Sequence, residues 1–125
     1  MSQTRLSRLE LRIMEVLWQH GPASVREIQE SLPAKGRPAH TTVLTILTRL
    51  ETKAAVRRAK KIGNALIYEP VITRRATQRL LVDELLAFFG GRAAPLMSHL
   101  IESGQLTYED VEEARKALKK ERKRE

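Results

Sequence analysis

Four threonines, Thr41, Thr45, Thr48 and Thr52, recur at spacings of three and four within the stretch His40 to Ala54, HTTVLTILTRLETKA. On a helix of about 3.6 residues per turn they share one face, with Arg49 and Lys53 on its flank. Val43, Ile46, Leu47, Leu50 and Ala54 fall on the opposite face, the pattern of an amphipathic helix with one buried side. Threonine is a mediocre helix former because its branched Cβ restricts χ1, so a hydroxyl stripe on an exposed face costs helix stability. What such a stripe offers is hydrogen bonding at short range. Short hydroxyls donate to or accept from base edges of nucleic acid, and their methyls touch the thymine methyl. A solvated face without a ligand is the plain alternative for this stretch taken alone.

The surrounding charge bears on that choice. The chain of 125 residues carries a net charge of +8. Between residues 34 and 62, Lys35, Arg37, Arg49, Lys53, Arg57, Arg58, Lys60 and Lys61 face Glu51 alone, while the rest of the chain is close to balanced. A positive patch of this kind attracts a polyanion through counterion release. Nucleic acid fits better than an anionic membrane surface, because the apolar face of the threonine helix is needed for a core. Direct membrane binding is therefore not expected. Lys35, Arg37, His40, Lys53, Arg57, Arg58, Lys60 and Lys61 are the expected phosphate contacts.

The elements that must hold this helix read as follows. Leu6 to Gln19 is a first helix, with Leu6, Leu9, Ile13, Val16 and Leu17 at helical spacing; Ser7 with Glu10 would cap a slightly later start. His20-Gly21-Pro22 stops it. Ala23 and Ser24 begin a short second helix in which Ser24 and Glu27 form a capping box, and Pro33 ends it. Val56–Lys61 and Ala65–Glu69 are two strands joined at Gly63-Asn64, both of which tolerate positive φ. Three short helices followed by a basic hairpin make a winged helix-turn-helix, with the third helix entering the major groove and the hairpin lying along phosphates.

From Thr73 the character changes. Thr73–Phe89 is helical with a wide apolar stripe, and Gly90-Gly91 breaks it. A fifth helix follows around Pro95, and a sixth starts at Thr107-Tyr108-Glu109-Asp110 and trails off in KKERKRE. Three such helices cannot close a core of their own. A second copy of the chain is the economical partner, with Leu80, Leu81, Leu85, Phe88, Phe89, Leu96, Leu100, Ile101, Val111 and Leu118 at the interface; folding back on the N-terminal domain is the alternative. The expected fold is mainly α with a small β-hairpin. Residues 1–71 form a winged-helix DNA-binding domain and residues 72–125 a helical dimerisation region.

Absences narrow the function. Cysteine is missing, which excludes disulfides, thiolate metal sites and cysteine nucleophiles and fits a cytoplasmic location. No apolar run reaches the roughly 18 residues of a membrane span, and MSQTRLSRLE has no hydrophobic signal core. His20, His40 and His99 lie on separate elements, and neither a Gly-rich phosphate loop nor a metal-spaced cluster occurs, so no catalytic residue, metal or cofactor is expected.

The order and spacing of several pieces resemble the bacterial penicillinase-repressor family (BlaI/MecI type). They are Leu9-Glu10 through Met14 to Leu17-Trp18, Gly21-Pro22, Val25-Arg26-Glu27-Ile28, Thr41-Thr42-Val43, Leu47-Thr48-Arg49-Leu50, Tyr68-Glu69-Pro70, and Leu100-Ile101-Glu102 with Gln105-Leu106. The resemblance implies a dimeric winged-helix repressor that sits on an inverted-repeat DNA operator and blocks transcription. It also implies base contacts from Thr41, Thr42, Thr45 and Arg49.

Three departures stand out. Lys53-Ala54 replaces the Lys-Gly that commonly ends the third helix in that family. The tail cysteines of copper-responsive relatives are missing. The Asn-Phe bond at which antibiotic-responsive members are cleaved aligns with His99-Leu100, the candidate cleavage position, and the matching partner would be a membrane sensor protease. The rival reading is a basic winged-helix protein that binds nucleic acid or protein without reading sequence.

Overall fold

The computed structural model describes residues 5–124. The readings that touch Met1–Thr4 and Glu125 lie outside that range. The elements in chain order are α1 (Arg8–His20), β1 (Ala23–Ser24), α2 (Val25–Ser31), α3 (His40–Thr52), β2 (Val56–Ile62), β3 (Ala65–Pro70), α4 (Arg74–Phe88), α5 (Ala93–Glu102) and α6 (Tyr108–Arg124). Two compact units result, one ending at Leu81 and the other beginning at Val82, with the boundary inside α4. The division expected after residue 71 falls at the loop before that helix.

Helix starts follow local chemistry. Ser7 caps α1: its hydroxyl accepts from the Glu10 N–H at 3.2 Å, and the Glu10 carboxylate accepts from the Ser7 N–H at 2.7 Å. This moves the start past Leu6, which packs against the core from outside the helix. Ser24 and Glu27 repeat the arrangement at α2, and Thr107 with Asp110 does so at α6. At α4 the Thr73 hydroxyl accepts from the Ala76 N–H at 3.0 Å. By contrast, Ala39 at the start of α3 has no side-chain cap, so the first-turn N–H groups of α3 lack a side-chain acceptor from the cap position.

Two expectations about the second element need correcting. Ala23 and Ser24 are strand, not helix, and they pair antiparallel with Tyr68 and Ile67. An N-cap residue takes extended backbone angles, φ −81° and ψ 167° at Ser24, so the residue that starts α2 is free to join a sheet on its other side. The expected two-stranded hairpin is thereby a three-stranded sheet in the order β1-β3-β2. α2 ends before Leu32, whose extended backbone is what the following Pro33 demands.

In the hairpin, only Gly63 of the two loop residues has positive φ, 61°. That matches a turn with glycine at its first central position rather than one with both residues left-handed. Register shifts between Arg58 and Lys60, leaving Ala59 as a β-bulge. Arg57 opposes Glu69 and Lys60 opposes Ile67, so the bulge sets Arg57 and Lys60 on one face of the hairpin, while Arg58 and Lys61 take the other.

The core of the first unit gathers Ile13, Met14 and Leu17 of α1, Ile28 of α2, Val43, Leu47 and Leu50 of α3, and Tyr68 of β3, all fully buried. Its α3 stripe is Val43, Ile46, Leu47 and Leu50, as the spacing required. Ala54 does not continue it. The helix ends at Thr52, Ala54 turns out to solvent at φ 60°, and Ala55 takes the buried position instead. Ala55 N–H reaches the Leu50 carbonyl at 2.8 Å and Ala54 N–H the Glu51 carbonyl at 2.9 Å, a complete left-handed cap built on alanine.

The second unit is the reverse case. Neither α5 nor α6 has a buried residue, and Val82, Leu85, Phe88, Met97, Ile101, Tyr108, Val111 and Leu118 are all exposed. Gly90 and Gly91, at φ 65° and 77°, close α4, and the Phe89 and His99 rings meet edge to face at 5.4 Å. The tail expected to fray is helical through Arg124.

A Cβ at positive φ costs about 1 kcal/mol, and a Cβ at Ala54 gains nothing from burial. Ala54→Gly should therefore stabilise the protein by about 1 kcal/mol, seen as a higher urea midpoint at unchanged slope. An unchanged or lower midpoint contradicts the cap assignment.

Candidate nucleic-acid interface

The exposed side of α3 is a shallow depression lined by Thr41, Thr42, Thr45 and Arg49, with Leu9 of α1 and Ile46 forming its floor. The four residues expected to touch bases thus share one surface. Leu9 lies on the apolar spacing of α1, and nothing in that spacing indicates that α1 borders this surface.

The threonine hydroxyls are engaged along the helix. Thr45 Oγ1 donates to the Thr41 carbonyl at 3.0 Å, Thr48 to Leu44 at 3.0 Å and Thr52 to Thr48 at 3.1 Å. Each hydroxyl proton is thereby used internally. What remains for a ligand is a pair of acceptor lone pairs and an outward methyl. In this rotamer Thr45 can accept from the exocyclic amine of adenine or cytosine, or touch a thymine methyl.

The cations divide into two groups. Lys35, Arg49, Lys60 and Lys61 are exposed and form no side-chain hydrogen bond or ion pair among the described residues. His40, at the start of α3, is exposed too. Arg57 pairs with Glu69 across the hairpin, and Arg58 with Glu51 at 3.0 Å. Both arginines are more than half exposed, so these pairs are weak and can be exchanged for phosphate at little cost.

Arg37 and Lys53 are tied inward. Arg37 donates through Nη2 to the Leu32 carbonyl at 2.7 Å and to the Glu30 carbonyl at 3.1 Å, closing the C-terminal end of α2. Lys53 Nζ sits 2.6 Å from Glu10 Oε1 and 2.8 Å from the Arg5 carbonyl. Glu10 is 98% buried in the sense that only 2% of it is exposed. Burial pushes its carboxyl up, but the Lys53 ammonium and the Ser7 N–H more than offset this and hold it below the ordinary glutamate value of 4.5. Lys53 is thus a strut from α3 to α1, a role that the cation count alone did not reveal.

A second latch joins α1 to α4. Trp18 Nε1 donates to the Ile72 carbonyl at 2.9 Å, Arg74 lies over the Trp18 ring at 5.6 Å, and the same guanidinium pairs with Glu15 at 2.8 Å. Among the described residues no cluster of His, Cys, Asp and Glu could hold a metal ion, and no helix is long and apolar enough to cross a membrane.

Three helices, a three-stranded sheet and a cationic hairpin beside a polar helix face define a winged-helix domain, here extended by further helices. Residues 6–120 match the penicillinase repressor family, and the chain belongs to it. Over 121 residues it is 26% identical to the penicillinase repressor of Bacillus licheniformis, covering 96% of this chain and 94% of that one. Over 119 residues it is 35% identical to the transcriptional regulator BlaI of Mycobacterium tuberculosis, covering 92% of this chain and 83% of that one. The solution structure of the DNA-binding domain of the repressor BlaI is similar at a TM-score of 0.51 and 29% identity, covering 59% of this chain and 90% of that one. The relatives are named as repressor and regulators, not as enzymes.

If Lys53 is a strut, Lys53→Met should lower stability by about 2 kcal/mol, less than the loss from a fully buried pair because Lys53 is partly exposed, while Lys60→Met should leave it unchanged. The lowered carboxyl of Glu10 contributes stability that is full above the ordinary carboxylate range and is lost as pH falls through and below it. Glu10→Gln should flatten that acid-side loss in thermal melts; an unaltered acid slope would show that the pair does not supply it.

Proposed function

We propose that the protein is a cytoplasmic, sequence-reading DNA-binding repressor that acts as a homodimer on an inverted-repeat operator. The observation that carries this reading is the gathering of Thr41, Thr42, Thr45 and Arg49 in one exposed depression, in a domain whose exposed Lys35, Lys60 and Lys61 form no side-chain hydrogen bond or ion pair among the described residues. Thr41, Thr42 and Thr45 meet base edges, and Arg49 meets a base or a phosphate. Lys35, His40, Arg57, Arg58, Lys60 and Lys61 neutralise backbone phosphates. Arg37 and Lys53 contribute charge while holding the domain together.

Dimerisation rests on the second unit. Its apolar side chains, Phe88 at 84% exposed and Ile101 at 58% among them, are left uncovered among the described residues of that unit. A second copy covers them and gives a two-fold reader whose half-sites lie about one duplex turn apart. The bound dimer excludes polymerase, and loss of the arm contacts frees the site. The candidate cleavage bond, His99–Leu100, lies inside α5. A membrane sensor protease acting there must first unwind that turn, and repression as read here does not require the cut.

Selection of bound sites from a random duplex library tests sequence reading, symmetry and spacing together. Thr45→Ala should relax preference at one base position by about 1–3 kcal/mol, whereas Lys60→Ala should weaken all duplexes alike and reduce the salt slope by about one. Equal losses on selected and random duplex for Thr45→Ala would leave a basic winged helix that does not read sequence. Ile101→Glu should convert a micromolar dimer to monomer in sedimentation without unfolding the first unit.

A further inference from the structure

Between the start of α3, the start of α2 and the β2–β3 hairpin lies a cleft of about 520 Å³, of whose lining the proposed DNA contacts include only His40. Its size falls within the range of small-molecule sites. One wall is apolar: Leu44, Ile62 and Leu66. Leu44 and Ile62 are 39% and 58% exposed, although both are large apolar side chains in the better-packed unit. The polar lining includes Arg26, His40 and Tyr68, and no residue lining the cleft is acidic. Tyr68 is fully buried, and its hydroxyl has no hydrogen-bond partner among the described residues. A buried donor left unmatched is a cost the fold ordinarily avoids.

From these features we infer that the cleft binds a small amphipathic carboxylate, and that its occupant competes with DNA. The apolar body lies against Leu44, Ile62 and Leu66. The carboxylate faces Arg26 and His40 and, once a side-chain shift uncovers the fully buried Tyr68 hydroxyl, accepts from it. Arg26 is available because its pair with Glu30, at 3.1 Å, is exposed on both sides. A bare phosphate is a poorer occupant, because it loses hydration beside Leu44 and Ile62 and gains no apolar contact. Competition follows from geometry. His40 belongs both to the cleft and to the proposed phosphate contacts, and the cleft's walls are the first turns of the reading helix and the tip of the hairpin. What one ligand costs the other is reciprocal.

The probe is phenylacetate, with phenylacetamide as its uncharged counterpart, titrated into the full-length, isotope-labelled protein and followed by NMR. Saturable shifts should centre on Leu44, Ile62, Leu66 and Tyr68. The amide should bind about ten-fold more weakly, the loss of one charge-assisted hydrogen bond. Ile62→Glu, at an exposed position, should abolish saturation, and Tyr68→Phe, which keeps the ring, should weaken binding about five-fold. Shifts that do not saturate, that centre on residues 82–125, that are equal for acid and amide, or that survive Ile62→Glu overturn the site.

The competition rests on the proposed DNA reading and is measured separately. Phenylacetate at saturation should raise the Kd for a selected duplex at least three-fold. An unchanged Kd with the cleft filled overturns the competition. Failure to bind any duplex instead overturns the DNA reading, with the ligand site still decided by the titration.

Discussion

The first unit depends on the burial of one stripe of α3. Val43, Leu47 and Leu50 have no exposed surface, and Ile46 has 5%. Removing each such side chain from water is worth about 1.5–3 kcal/mol, so the stripe outweighs the poor helix propensity of the threonines behind it. That surplus is what allows the outward face to be chosen for hydrogen-bonding character rather than for helix stability. The same stripe fixes the rotation of α3 about its axis. Thr41, Thr45 and Arg49 point outward because Val43, Leu47 and Leu50 cannot.

Around that stripe the other contacts act as braces. The Glu10–Lys53 pair ties the end of α3 to the beginning of α1, and the Ser7 cap holds the same carboxylate. Tyr68 packs in the core from the central strand, and Arg37 closes α2 over the loop that leads into α3. Ala54 is the position where helix geometry and residue type disagree. Its left-handed backbone is kept because Ala55 and Val56 must turn inward directly after it.

Much of this was legible because it is periodic or local. The α3 stripe, the Ser7 and Ser24 capping boxes, the hairpin around Gly63 and the breaks at Gly21 and Gly90 all follow from spacing and from what single residues do to a backbone. What was not legible depends on contacts distant in sequence. The pairing of Ala23 with Tyr68 spans most of the first unit, and two residues leave no alternating pattern to read. The inward ties of Lys53 and Arg37 look, in sequence, like any other cation near a basic patch. Whether the hydroxyl of Thr45 points out or bonds back to Thr41 is a matter of rotamer, which composition does not carry. The cleft beside Leu44 joins residues from five elements, so its members have no common spacing.

The strand order β1-β3-β2 leaves β2 outermost, with half of its backbone amides and carbonyls facing away from the sheet. An open rim of that kind is a template on which another chain can add a strand. Lys60 and Lys61, with the kink at Ala59, blunt it: charge repels a second copy, and the kink breaks the straight run that pairing needs. Protection against fibrous assembly is therefore supplied by the same side chains that are proposed to meet phosphate, and a variant stripped of them would gain a route to aggregation.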